Sequence, residues 1–434
     1  MDAASIKGKI PDYVLEIMVT IQEEGYQAYL VGGSLRDIIM NITPCDYDIA
    51  TNAYPDVIEG MFDSTEDYGK EFGTITIITE GGVCEVTTLR TEKEYEDFRR
   101  PSRVDFSNSL AEDLSRRDFT INALAFDGEV LYDNYDGYGD LKSKIVRTVG
   151  NPVLRFSEDG LRLIRAVRFA SQLGFQIERN TREAIYENNK LIRKISKERI
   201  RIEMDKILLS NRADYGFEIL HASGLLRHML SNGPDKDKLD CRLKWDLLSR
   251  LPQNITHRLA AVFLILHHED QNQKRFSTAS KDIGSFCDIL KTEYGYEKKR
   301  IQRVQNLINE IKYLPYQDRC DIRKMLSRIG NVDVHGDLDY IFSVCEWKGY
   351  EKNIIKKWKF YSREEMKRNI PVSREDLAIN GNDAMRLGLE KGPEIGQLLD
   401  YLLVKTIEDP DRNNRKKLCD LARSWMKQKR MENR

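Results

Sequence analysis

Two aspartates, Asp46 and Asp48, stand one residue apart in the run CDYDIAT at residues 45–51. In an extended chain residues i and i+2 project from the same face, so the two carboxylates would converge. Carboxylates that close repel one another and stay ionised together only with a cation between them. An all-oxygen site suits Mg²⁺, which keeps positions open for water and phosphate oxygens. Such a site can hold two metals, one activating an attacking hydroxyl and one stabilising a leaving pyrophosphate. A bare pair of aspartates on an edge strand would mean nothing; what gives this pair weight is GGSLRD just upstream, at residues 32–37. Gly32 and Gly33 follow a short apolar run, Tyr26 to Val31, and precede a helical stretch. Their backbone N–H groups are placed to approach a triphosphate at a helix N-terminus. Arg36 lies one turn further on, within reach of a phosphate oxygen. A third carboxylate, Glu85, sits in the apolar run VCEVTTL. A charge there is costly unless it is paired or metal-bound, so Glu85 is either part of the metal site or an exposed strand position.

Two further constellations are rich in arginine. In RRDFTINALA at residues 116–125, Arg116 and Arg117 precede apolar residues and a helical stretch carrying Asn122. At least one of the two arginines should therefore point into a site, with a triphosphate or ribose as its natural partner. In EDGLRLIRAVRFASQLGF at residues 158–175, Asp159, Arg162, Arg165 and Arg168 recur at spacing three, while Leu161, Ile164, Val167 and Phe169 are apolar. This pattern fits either a salt-bridged surface helix or a polar stripe facing a ligand. An Asp and an Arg one turn apart can offer an acceptor and donors to the Watson–Crick edge of a base, and so select a nucleotide without a template.

These residues need a scaffold. Val14, Ile17, Met18 and Ile21 are at helical spacing, which predicts a helix from Tyr13 to Glu24. Strands are expected at Tyr26–Val31, Tyr47–Ala50, Thr74–Thr79 and Val83–Leu89, with Glu80-Gly81-Gly82 turning a hairpin, and another from Phe126 to Tyr132. From about Pro152 helical periodicity dominates. Breaks near Gly233-Pro234, Pro252 and Pro371 are candidate boundaries.

At 434 residues the chain is too long for one ordinary core, and its 41% hydrophobic and 32% charged composition fits an ordered, water-soluble protein. The formal net charge of −1 does not by itself indicate nucleic-acid binding, which would need a local basic patch. The seven cysteines are dispersed, with no CxxC pair and no zinc-ligand spacing, as expected of reduced thiols in a cytoplasmic protein. No signal peptide is expected, and no apolar run is long enough to span a membrane. Neighbouring His267 and His268, followed by Glu269 and Asp270, would point apart on a helix and read as structural.

Taken in order, the three motifs resemble those of the class II tRNA nucleotidyltransferases, the CCA-adding enzymes, and the related bacterial poly(A) polymerases. ERIRIEM at 198–204 is similar to that family's neck helix, and the segment around GPEIG at 392–396 to its tail. The resemblance implies an α+β protein: a small mixed α/β nucleotidyltransferase head at 1–150, then an all-helical neck at 151–220, body at 221–320 and tRNA-binding tail at 321–434. It implies Asp46 and Asp48 as catalytic Mg²⁺ ligands; Glu85, from its place in the apolar run, is the candidate third catalytic carboxylate. It places Gly33, Arg36 and Arg117 around the nucleotide, Asp159 and Arg162 on the base, and Arg165 and Arg168 in the same pocket; Gly32 and Asn122, from their places in the motifs, are the further candidate nucleotide-binding residues. Residues 90–106 resemble the loop with which these enzymes switch from CTP to ATP. The implied partners are tRNA, CTP and ATP, with no membrane, for a monomer or homodimer. The basic run Arg412, Arg415, Lys416, Lys417, Arg423, Lys427, Lys429 and Arg430 fits phosphate contact. An adenosine-only enzyme or a non-catalytic tRNA-binding protein are the alternatives.

Overall fold

The computed structural model describes residues 3–92, 95–96, 100–101, 104–230, 244–267, 280–330, 332–368 and 370–432. The chain divides into two compact units, Met1–Ser231 and Asn232–Arg434.

The first unit is built on a seven-stranded mixed sheet. Helix α1 (Asp12–Glu23) buries Val14, Ile17, Met18 and Ile21, the helical spacing seen in the sequence. Strand β1 (Ala28–Val31) is buried along its length and leads directly into α2 (Gly32–Ile39). Then follow β2 (Asp48–Thr51), β3 (Thr65–Glu66), β4 (Thr74–Thr79), β5 (Gly82–Thr88), α3 (Leu110–Ser115), β6 (Ala125–Phe126) and β7 (Leu131–Tyr132). The order across the sheet is β7-β6-β1-β2-β5-β4-β3. Among the described strands of this sheet only β2 and β5 run parallel, with Asp48 opposite Glu85. The antiparallel β4–β5 hairpin turns at Thr79 and Gly82, and Phe126–Tyr132 is two short strands pairing Phe126 with Leu131. Tyr29, Val31, Ala50, Leu89, Leu114 and Ala125 pack together on this sheet, fastening α3 to it. Within residues 90–106, Arg90–Glu92 pairs with Val104–Phe106, and Tyr95–Glu96 with Arg100–Pro101, so the described parts form an antiparallel ribbon.

Helices follow: α4 (Pro152–Glu158), α5 (Leu161–Leu173) and α6 (Lys197–Leu208). Asn151 caps α4 by accepting from the N–H groups of Val153 and Leu154, with Pro152 at the first turn where no N–H is needed.

In the second unit the helices used below are α7 (Ile255–Leu266), α8 (Lys298–Glu310), α9 (Arg319–Ile329), α10 (Val334–Trp347), α11 (Lys352–Lys367), α12 (Pro393–Glu408) and α13 (Arg415–Glu432). Leu398 and Leu402 of α12 close a small core with Leu418 and Ala422 of α13. Pro393 opens α12, as the GPEIG segment suggested. His267 stacks on Phe263 at 4.0 Å and bonds its carbonyl, a structural role; His268, Glu269 and Asp270 lie outside the described residues. Among the described residues, no helix is long and apolar enough to cross a membrane.

Candidate active site

The turn from β1 into α2 sets the centre of the site. Gly32 adopts φ +70°, a left-handed conformation that costs other residues steric strain. A Cβ there would lie 3.2 Å from Arg117 Nη1 and 3.4 Å from Asp48 Oδ2, so both groups converge on this glycine. Ser34 ties the turn together: its hydroxyl donates to the Val31 carbonyl at 2.8 Å and accepts from the Asp48 N–H at 3.4 Å.

Asp46 is not in a strand. It sits in an exposed bend, and pairing begins at Asp48, which is partly buried. The two carboxylates nonetheless interact. Asp48 is pushed up to about 6, first by burial, then by the charges of Asp46 and Glu85, with Arg117 pulling the other way. Glu85 is exposed, and its register opposite Asp48 on a parallel neighbour puts both side chains on one face. Burial, reinforced by Asp48 and Glu85, pushes the Cys84 thiol up to about 12 and keeps it a neutral packing group.

The RRDFTINALA motif departs from expectation in shape. Arg116 caps the C-terminus of α3, and the stretch with Asn122 is one 3₁₀ turn, Thr120–Asn122, instead of a helix. Both arginines are held from within α3. The buried Asp113 carboxylate accepts from Arg116 Nη2 at 2.6 Å and from Arg117 Nη2 at 3.1 Å. Burial opposes its ionisation, but Arg117 and Arg116 outweigh that and hold it below the usual carboxylate range. Arg117 also donates to the Asn122 carbonyl at 3.2 Å.

A chain of polar contacts runs from α2 to α5. Arg36, 8% exposed, donates to Asn122 Oδ1 at 2.9 Å; Asn122 donates to Asp118 Oδ1 at 3.2 Å. Asp118 Oδ2 accepts from Arg165 Nε at 2.7 Å and Nη2 at 2.5 Å. Glu203 of α6 lies 3.1 Å from Arg168 Nε and 3.8 Å from Arg165 Nη1. Burial, then the neighbouring Arg165, lowers Arg168 to about 10. Three guanidinium groups surround one ring, Phe169, with Arg168 at 4.0, Arg36 at 5.2 and Arg165 at 5.5 Å from its centroid.

The polar stripe is therefore not one face of one helix. Asp159 caps α4, Gly160 separates it from α5, and each step of three residues winds back by ~60° on a helix. Arg162 turns toward α4, pairing with Glu158 and donating to the carbonyls of Arg155 at 3.1 Å and Arg116 at 3.0 Å. Arg168 turns toward α6 instead. Asp159 accepts from Arg199 Nη2 of α6 at 3.0 Å. Asp113, Asp118, Phe169, Arg199 and Glu203 all shape the site and went unassigned in the sequence reading. Only Asp113 carried a local signal there, at i−3 and i−4 from the two arginines.

In the second unit His257, Asp333 and Asp337 bring ligand atoms within 4.8 Å of one another. Asp337 Oδ1 already receives His257 Nε2 at 2.7 Å and Arg303 at 2.8 Å, so its charge has an internal counter-ion.

The Poly A polymerase head domain family matches residues 28–147, and the family described as the probable RNA and SrmB-binding site of polymerase A matches residues 174–236. A CCA-adding enzyme of Limosilactobacillus reuteri is 35% identical over 402 residues, covering 92% of this chain and 93% of that one. A CCA-adding enzyme of Bacillus pumilus is 46% identical over 229 residues, 52% of this chain. The crystal structure of the Bacillus stearothermophilus CCA-adding enzyme in complex with CTP covers 97% of this chain at 26% identity, with a TM-score of 0.75. The Thermotoga maritima CCA-adding enzyme complexed with tRNA shares the fold at a TM-score of 0.63 and 18% identity. With a mixed-sheet head, a helical remainder and a relative matched along nearly its whole length, this chain belongs to the CCA-adding enzymes of the class II tRNA nucleotidyltransferase family.

Proposed function

We propose that this chain adds C, C and A to the 3′ end of tRNA, using CTP twice and then ATP, and releases pyrophosphate at each step. The observation that carries the reading is the convergence of Asp48 and Arg117 on Gly32 at the start of α2, with Asp46 and Glu85 beside them. Cation and anion ligands thus meet where a helix N-terminus can receive phosphate.

The acidic group fits a divalent cation. Asp48 is pushed up by burial and then by two neighbouring carboxylates, and all the donors are hard oxygens, the preference of Mg²⁺. Asp46 and Asp48 would hold it, with Glu85 alongside. When bound, Mg²⁺ supplies positive charge to the attacking 3′-hydroxyl and to the departing pyrophosphate. The chain's own residues do the positioning. The Gly32 and Gly33 N–H groups and Arg117 receive the triphosphate, and Arg36, held by Asn122, steers it. Asp159 and Arg162 present acceptor and donors to the base edge, with Arg165 and Arg168 lining the pocket behind. A head at 1–150, neck at 151–220, body at 221–320 and tail at 321–434 is our working division of these tasks. The free, dispersed cysteines support a reducing, cytoplasmic setting.

The test uses tRNA transcripts ending before the first C, after both Cs and after the A, with CTP or ATP supplied separately. The CCA reading expects C added to the first transcript, A to the second and nothing to the third. An enzyme that extends only the second with A is an adenosine-only enzyme. Asp46→Ala and Asp48→Ala should each abolish transfer, and near-normal rates in either would remove the metal assignment.

A further inference from the structure

Arg199 stands in the first turn of α6, where the helix dipole disfavours a cation. Its guanidinium reaches away from that helix to Asp159, forty residues earlier, donating from Nη2 to Oδ2 at 3.0 Å. The other oxygen, Asp159 Oδ1, accepts from the Leu161 N–H at 2.9 Å, at the start of α5. One oxygen of this carboxylate is thus held by backbone and the other by Arg199. The pair remains open to a ligand, with the Arg199 side chain 28% and the Asp159 side chain 19% exposed. Only one amine of the guanidinium fork is engaged: Arg199 Nη1 is buried and, among the described residues, has no hydrogen-bond partner. An Arg–carboxylate pair that served packing alone would ordinarily set both amines on both oxygens. This one gives up its second bond and sits at an unfavourable helix position, and what it gains is a fixed direction for Asp159 Oδ2.

That direction matters because a carboxylate only accepts, and has about four lone-pair positions. Two are taken here, by Leu161 and Arg199, and the groups that take them set where the remaining two point. Cytosine and adenine each present an exocyclic amine, a donor, where uracil and guanine present a carbonyl oxygen. A carboxylate fixed in direction favours the first pair and repels the second; one free to swing aside loses the distinction. We infer that Arg199 is a positioning residue for nucleotide selection: by holding Asp159 Oδ2 it aims the remaining lone pairs at an exocyclic amine, and so separates C and A from U and G. The inference deepens the proposed function and rests on Asp159 reading the base.

Single-step extension is measured with the full chain and MgCl₂, on a tRNA transcript ending before the first C with CTP or UTP, and on one ending after both Cs with ATP or GTP. The readout is the ratio of kcat/KM within each pair, which does not depend on the fraction of active protein. Calorimetric affinities for CTP and UTP score any variant too slow to extend. Arg199→Gln should cut each ratio roughly ten- to a hundredfold, the discrimination carried by a well-placed contact to a base edge. Arg199→Lys, which keeps a cation and a donor, should lose less. Arg199→Gln added to Asp159→Ala should change the ratios no further, since a group acting only through Asp159 then has nothing to aim. A uniform fall for all four nucleotides with the ratios unchanged would make Arg199 a strut between α5 and α6 and overturn the inference. Additive losses in the double variant would do the same, because Arg199 would then act independently of Asp159. Unchanged ratios in Asp159→Ala itself would remove the base reading and this inference with it. Collapsed ratios there beside wild-type ratios in Arg199→Gln would overturn this inference alone.

Discussion

Neutralising Asp48 should abolish catalysis and, without metal, make the protein more stable. Asp48 is raised from 3.8 to about 6 by burial and by its two carboxylate neighbours. A carboxyl whose folded value lies above its unfolded value holds its proton better when folded. Its contribution is therefore fully present below about pH 4 and is lost as pH rises through about 6. Two units correspond to about 3 kcal/mol, of which solvent at this partly open site screens a share, leaving on the order of 1.5–3 kcal/mol. In a unit of this size that is roughly 3–9 °C in thermal midpoint. Asp48→Asn, unfolded by scanning calorimetry in EDTA, should gain that much at pH 8 and little at pH 4, where the wild type is already neutral. Adding MgCl₂ at pH 8 should raise the wild type, by about 2.7 kcal/mol at a hundred times the dissociation constant, and leave the variant behind. A variant no more stable at pH 8, or equally stabilised at both pH values, would refute the account of Asp48 as a carboxyl disfavoured in its charged form by burial and by its acidic neighbours.

Gly32→Ala forces a Cβ into a φ of +70° and to 3.2 Å from Arg117 Nη1. It should cost about 1–2 kcal/mol in urea unfolding and lower kcat/KM for CTP and ATP at least about tenfold. Asp118→Asn leaves Arg165 without its closest counter-charge. A loss of about 3 kcal/mol at neutral pH is expected, measured by denaturant titration. The Asp118 carboxyl is held low, burial being outweighed by Arg165, so the penalty should fade as pH falls through the folded value. Asp159→Ala should broaden selection among CTP, ATP, GTP and UTP more than it changes the Mg²⁺ dependence of the rate; unchanged selectivity would remove Asp159 from base recognition.

The head was legible because its signals are short-range. Apolar alternation marked the strands around Asp48 and Glu85, and the paired glycines marked the β1–α2 turn. The register that sets Glu85 opposite Asp48 spans residues far apart in the chain, so its exposure on the Asp48 face was left open between two readings. The arginine stripe misled for a geometric reason: a three-residue repeat drifts around a helix, and Gly160 breaks it at its start, so Arg162 and Arg168 serve different neighbours. Asp118 and Glu203, the partners of Arg165 and Arg168, sit at distant sequence positions, and nothing local announces a contact across such separations. Phe169 reads as one more core residue until the fold brings three arginines around it.

That ring has a consequence for how substrate selection works. In the proposed assignment Arg36 serves the phosphate end of the pocket and Arg165 and Arg168 the base end, and all three guanidinium groups lie against the Phe169 ring. Any free energy with which a triphosphate draws Arg36 off the ring must reappear, by thermodynamic reciprocity, as a changed preference among bases. Discrimination measured with nucleosides or monophosphates should then be poorer than with triphosphates, and truncating Phe169 should erase that difference.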